Sequence, residues 1–436
     1  MLKKILWTVG VLFVAASVLF AGSPAEAKQK LAIWLGYGET LPAFEFVKKQ
    51  FEQKYPDIEV EILTFSLREF EAKLASSMPT GAGPDMLTLH DFLYPRYHDN
   101  QYLEPLPKDL AQIVSDPQKI DPTYAAVVTH DGAADGVPYW TGRSTLYYNL
   151  DHFKEAGLTK PPETIEEFWQ YAEKLTKRDA SGEVVRAGIS LRLTGASGVI
   201  QKFGYVYYQM AGEQIFERGK KPGTVRVTFE DHLDIAVQAL MDHVNHLHGA
   251  RKADDWKLKH DAQGFASGAA SMLMRETWGI AFINKNGPDI NFDTAPMPKG
   301  KVRGAFNYIE ILSVNNQSKL KEQTWDFIRM LQEADALKVL LTEAGYSPLR
   351  KDRDFAWFLK ENPKYKAVME AIAGYQQYLE APNTVYEEMT TKVGEVLQEA
   401  FRDATLVDNA EGCKKIVLKM QQVAEDLLKE QGILAE

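Results

Sequence analysis

The sequence predicts an α/β protein of two lobes, each a doubly wound sheet flanked by helices. Three observations lead there. The chain has 436 residues, whereas a single hydrophobic core stops growing near roughly 250–300 residues. Residues 31–89 read as strand, helix, strand, helix, strand, the order of a doubly wound unit. The same alternation begins again after residue 143, beyond a stretch that reads as a crossing from one unit to the other.

Residues 31–35, LAIWL, are a short apolar run and read as a buried strand, after which GYGE at 36–39 turns the chain. Thr40 reads as a helix N-cap with Pro42 in the first turn. Phe44, Val47, Phe51 and Tyr55 recur at helical spacing, and Pro56 stops the helix. Ile58, Val60 and Ile62 alternate with Glu59 and Glu61, a strand with one wet face. Ser66 and Glu69 form a capping box that sets Leu67, Phe70 and Leu74 inward. The loop at 81–84 leads to a third strand at 86–89, which ends at His90-Asp91.

The stretch 136–155, GVPYWTGRSTLYYNLDHFKE, organises the rest of the chain. Gly136 and Pro138 supply turn chemistry, Tyr139 and Trp140 are adjacent aromatics, and Gly142 lets the backbone pivot. A strand at 144–149 then enters a helix at 151–156. A long strand crossing between two compact units needs this order, and an ordinary βα unit with buried tyrosines is the alternative. Thr164 and Glu167 make a further capping box, with Ile165, Phe168, Ala172 and Leu175 on one face. Residues 187–191, 270–274 and 292–295 read as strands, and 233–247 as a helix. Arg275 to Trp278 turn into a new helix. Residues 305–314 are a long apolar segment able to cross back. Trp325, Ile328 and Leu331 mark a helix, residues 345–348 a sharp turn, and 355–434 a mostly helical end.

Composition narrows the function. Hydrophobic residues are 45% and charged residues 25%, ordinary for a soluble globular protein. The formal net charge is −10, which argues against nucleic acid and anionic lipid as main partners. One cysteine, Cys413, excludes an intrachain disulfide and a cysteine-based metal site. Lys3, Lys4, the uncharged run 5–22 and Ala25-Glu26-Ala27 read as a secretory signal peptide over 1–27, with an uncleaved anchor as the alternative. No cysteine lies near the cleavage point, so lipid attachment there is excluded, and a soluble periplasmic protein starting near Lys28 is expected.

In open α/β sheets, ligands meet the residues past the carboxyl ends of the strands. Tyr37, Glu39, Asp91, Arg192 and Trp278 stand there, and Trp140, Arg143, Asn307 and Tyr346 lie at the crossings and the late turn. Aromatic faces beside carboxylates, guanidinium and amide suit a sugar, whose C–H face lies on a ring while its hydroxyls need fixed donors and acceptors. Arg143, Arg192 and Arg275 read more readily as surface or ion-pair residues. His243, His246 and His248 would need Asp254 or Asp255 to hold a metal, and solvated histidines near a helix C-terminus are the preferred reading. No nucleotide, metalloprotease or serine-hydrolase motif is present, so no catalytic residue, metal or cofactor is assigned. Paired carboxylates for glycoside hydrolysis stay open.

Several stretches in fixed order carry a resemblance: FVKKQFEQKYPDIEVEI; GAGPDMLTLH followed by YLEPL; YWTGRSTLYYNLDHFKEAGL; FASGAASMLMRETWGIAFI; and WDFIRMLQEADALKVLLTEAGYSPLRKD. The chain resembles the family-one extracellular solute-binding proteins of ATP-binding-cassette importers, in the branch that binds sugars. The most specific signs are YYN-x-x-x-F-x-E and SG-x-A-x-M-x-x-x-x-x-W. The resemblance implies the two-lobed periplasmic-binding-protein fold, with a hinge between interleaved lobes, 28–142 with 307–345 and 143–306 with 346–436. It implies a sugar in the interlobe cleft, an aromatic at Trp278 stacking on it, and the segment at Trp140–Arg143 and the turn at Tyr346 facing the cleft. It also implies delivery to the membrane subunits of an ABC permease, with no catalysis, and a monomer is expected. Gly304-Ala305-Phe306-Asn307 stands where similar proteins often have a Gly-Gly pair, and Thr145 stands where they have a small residue. Those departures and the arginines leave an acidic sugar or a glycerol phosphate open as ligand. A secreted carbohydrate-active enzyme is the rival reading.

Overall fold

In the computed structural model, residues 28–435 are described except 222, 250–259, 371–373, 380, 382 and 384. The expected signal peptide at 1–27 and the two aspartates at 254 and 255 lie outside the described residues. The fold is mixed α/β around one 11-stranded sheet. Ile58–Thr64, Gln29–Leu35 and Met86–His90 lie parallel, with Gln29–Leu35 in the middle. Arg303–Val314 runs antiparallel beside Met86–His90, and Val137–Asn149 antiparallel beside that. Ala270–Glu276 and Val184–Ser190 continue the sheet.

Two strands are long, and both change partners partway along. Val137–Asn149 is buried over its whole length. Its first half pairs with Arg303–Val314, and its second half with Ala270–Glu276 and Phe292–Ala295. Arg303–Val314 pairs first with Tyr375–Leu379, then with Val137–Asn149 and Met86–His90. The exchange falls where Gly142 faces Tyr308. The cores divide accordingly: Leu31, Phe44, Phe51, Trp325 and Leu337 share one buried cluster, and Ile189, Phe203, Leu240, Met389 and Leu427 share another.

Local chemistry explains most elements. Ser66 caps Leu67–Ser77 with the full capping box, and Thr164 accepts from the Glu167 amide. Other expectations need correcting. Thr40 does not cap Leu41–Lys54, because a 3-10 turn at Gly38–Thr40 precedes the helix and the Thr40 hydroxyl donates to the Tyr37 carbonyl. Residues 137–143 are strand, not turn. Pro138, which has no N–H to give a ladder, is accommodated because the register slips there and Tyr139 becomes a bulge. Gly142 is needed for close approach rather than as a pivot: a Cβ there would lie 2.3 Å from Cζ of Tyr308. The helical end contains the strand Tyr375–Leu379. His243 and His246 are not solvated but buried against Trp169. Burial pulls the His243 imidazole down to about 4, so it sits there neutral.

The helices Ala196–Ala211 and Tyr386–Arg402 pack closely because Gly394 has no side chain. A Cβ at Gly394 would lie 2.0 Å from the carbonyl oxygen of Ala196. Gly394→Ala is expected to destabilise by about 1–3 kcal/mol, the usual cost of overpacking, read as a lower urea midpoint at unchanged slope.

Candidate ligand-binding site

Strand ends and the starts of several helices surround a cavity of about 620 Å³, inside the roughly 300–1,000 Å³ range of small-molecule sites. One wall is aromatic and acidic. Tyr37 and Glu39 follow Gln29–Leu35, and His90 and Asp91 end Met86–His90. Tyr308 comes from Arg303–Val314 and Tyr346 from the late turn. Tyr346 Oη donates to Glu39 Oε1 at 2.7 Å, and its ring lies on Trp140 with centroids 3.8 Å apart at 12°. The Tyr139 bulge positions this stack, since its carbonyl accepts from the Leu349 amide just past the turn. Tyr37 is edge-on to His90 and Trp140 and hydrogen-bonded to His90 Nε2. Behind the wall Glu310 is buried beside His90 and Asp91, and burial pushes its carboxyl up to about 7.

The opposite wall is a buried ion network. Lys202, from Ala196–Ala211, bonds Glu276 Oε1 and donates to Tyr205 Oη at 2.9 Å. Tyr205 donates to the same Glu276 oxygen. Burial drives the Lys202 ammonium down to about 8, even with Glu276 beside it. Burial alone would raise Glu276, but Lys202 and Arg275 hold it well below the usual carboxylate range. Arg275 Nε lies 3.5 Å from Asp261 Oδ1, and Arg192 Nη1 lies 3.6 Å from the same oxygen. Arg275 Nη2 donates to His260 Nε2 at 2.8 Å, and burial with Arg275 pulls that imidazole down to about 4. It is the neutral acceptor.

Trp278 is gripped by this network. Its Nε1 donates to Glu276 Oε2 at 2.9 Å, and the Arg275 guanidinium lies 4.8 Å from the ring centre. Such cation–π contacts contribute about 0.5–2 kcal/mol. The indole N–H is thereby occupied, and what Trp278 offers a ligand is ring surface. The first turn of Ala196–Ala211 also lines the cavity, and its amides have no partner within the helix. At the mouth, Arg68 Nη2 and Glu387 Oε1 pair at 2.8 Å. With Arg68 half-exposed, that pair contributes at most about 1 kcal/mol. The lining charges balance: Arg68, Arg192, Lys202 and Arg275 face Glu39, Asp91, Glu276 and Glu387.

Of the residues singled out from sequence, Tyr37, Glu39, Asp91, Trp278 and Tyr346 line this cavity together, with Arg192 and Arg275. Trp140, Arg143 and Asn307 stand elsewhere. Trp140 is strand, not turn, and lies 1% exposed behind Tyr346. Asn307 and Arg143 are cross-strand partners. Side chains alternate faces along a strand, so Phe306 and Tyr308 line the cavity while Asn307 turns away, within reach of Tyr124 and bonded to the Ala305 carbonyl. Arg143 donates to the Glu370 carbonyl. Sequence reasoning placed the crossing 306–308 at the site but chose Asn307 from it rather than Tyr308, and it missed Lys202, His90 and His260. Lys202 was detectable as a lone cation in the apolar, aromatic run VIQKFGYVYY.

A family model described as bacterial extracellular solute-binding protein matches residues 47–367. A putative binding protein of Brucella abortus is 23% identical over 354 residues, covering 79% of this chain and 82% of that protein. The lactose-binding protein of Rhizobium radiobacter is 24% identical over 316 residues, covering 68% and 69%. Among solved structures, the ABC substrate-binding protein Lmo0181 from Listeria monocytogenes in complex with cycloalternan superposes with a TM-score of 0.76 at 19% identity, covering 93% of this chain and all of that one. At that identity the likeness is one of fold.

Glu310 gives the site a signature in pH. A carboxyl that binds its proton more tightly when folded contributes stability below its unfolded value, and that contribution is lost as pH rises from the ordinary 4.5 to about 7. Glu310→Gln is expected to remove this decline, so that at pH 8 the variant exceeds the wild type by about 3 kcal/mol. Urea unfolding of both proteins at pH 5 and pH 8 checks it.

Proposed function

The chain belongs to the bacterial extracellular solute-binding proteins, and on that premise we propose that it captures a neutral sugar or oligosaccharide in the cavity between its two walls. The lobes are taken as 28–142 with 307–345 and 143–306 with 346–436, with the hinge where the two long strands exchange partners. A ligand touching both walls favours the closed form by its differential affinity for it, and hinge closure of this kind is known in periplasmic binding proteins. The mature chain would work in the periplasm and hand its ligand to the membrane subunits of an ABC permease.

The observation that carries this reading is the pairing of ring surfaces with a charge-balanced lining. Tyr37, Tyr308 and Trp278 suit the C–H face of a pyranose, while carboxylates, guanidinium groups and helix-start amides suit its hydroxyls. The three cations on the second wall are already engaged by Glu276 and Asp261, which favours a neutral ligand over an acidic sugar or a glycerol phosphate. A wrong sugar would leave buried polar groups unpaired, at about 1–3 kcal/mol each.

A thermal-shift screen of neutral and anionic glycans, followed by titration, tests the proposal. Trp278→Ala is expected to weaken binding roughly tenfold or more, whereas Trp278→Phe, which keeps a ring, loses much less. Unchanged affinity in Trp278→Ala removes that indole from the site. Turnover of an oligosaccharide by the purified protein would replace the binding reading with an enzymatic one.

A further inference from the structure

Beside the main cavity lies an outer chamber of about 280 Å³. The two share Arg68, Phe92 and Glu387, which form the sill between them. Rings cross this sill in sequence. His90, in the main cavity, stacks on Phe92 at 4.9 Å and 14°, and Phe92 stacks on Tyr386, in the outer chamber, at 5.4 Å and 26°. Phe92 is thus held from both faces and presents its edge. Gln201 of the main cavity donates to Tyr386 Oη at 2.9 Å, which ties the far ring to the helix carrying Lys202. The outer chamber repeats the chemistry of the inner one. Arg68 and Arg96 balance Glu71 and Glu387, beside aromatic edges and the small floor of Ala72 and Ala75.

We propose that the outer chamber is a second saccharide subsite, so that the ligand is a chain spanning both chambers across the His90–Phe92–Tyr386 rings. This rests on the proposed function and deepens it. A single ring in the main cavity leaves the Arg68–Glu387 pair intact. A longer chain exchanges that pair for hydroxyl contacts, and because the pair is half-exposed the exchange costs little. Arg68 then has donors for both the chain and Glu71, to which it is already bonded at 2.7 Å. Chain length is selected at the sill.

The test is calorimetric titration with linear glucan, mannan, galactan and arabinan series, each from the monosaccharide to the hexasaccharide. For the series that binds, wild-type affinity is expected to rise roughly tenfold or more from the shortest member bound to the longest. Ala75→Trp, which fills only the outer chamber, and Arg96→Ala are expected to abolish that rise while leaving the shortest member's affinity unchanged. A flat series, or equal weakening of every member by both variants, overturns the second subsite and leaves the proposed function standing. Absence of binding by any series overturns both.

Discussion

The site depends on a constraint in the sheet: Val137–Asn149 and Arg303–Val314 are paired to each other over only half their length, 137–143 against 307–312. Away from that overlap each strand belongs to a different neighbourhood of the sheet, and its side chains join different cores. The close approach of Gly142 to Tyr308 lies at the overlap, so the narrowest packing in the pair is also where the two cores meet. Both cavity walls take their position from these strands. Tyr308 and the Trp140–Tyr346 stack stand on one side, and the Glu276 network, on the neighbouring strand Ala270–Glu276, stands on the other.

The two walls are built by different physics. The first is rigid because rings interlock: Trp140 backs Tyr346, Tyr37 stands edge-on to both, and one tyrosine hydroxyl is anchored on Glu39. The second is rigid because buried charges have few alternatives. Taking one member from a buried ion pair costs about 3–5 kcal/mol, so Lys202, Glu276 and Arg275 hold each other, and together they hold Trp278. A preorganised wall loses little conformational entropy when it meets a ligand.

How far the sequence was legible depended on the distance between cooperating residues. The Ser66–Glu69 capping box was readable because its groups are three residues apart. Tyr37, Glu39 and Asp91 were readable because the strands before them are local signals and strand ends are where such sheets bind. Pro138 misled because a breaker reads as a turn, while the bulge that tolerates it is made by another strand. Asn307 misled because which of three neighbouring residues faces a cavity depends on strand phase, and one step reverses it. Lys202 stayed hidden because its partner Glu276 is 74 residues away. Tyr375–Leu379, YQQYL, carries too little apolar alternation to read as strand, and its place in the sheet comes from pairing with Arg303–Val314.

The sheet order has a consequence for how the chain acquires its structure. Arg303–Val314 lies between Met86–His90 and Val137–Asn149, so the N-terminal half cannot complete its sheet until a segment more than 150 residues further on is inserted between two earlier strands. Contacts of such long sequence separation slow folding, and until that insertion the facing edges of two strands stay unpaired. A nascent chain remains without its central strand through most of its synthesis, and the sheet closes only after that segment has been made.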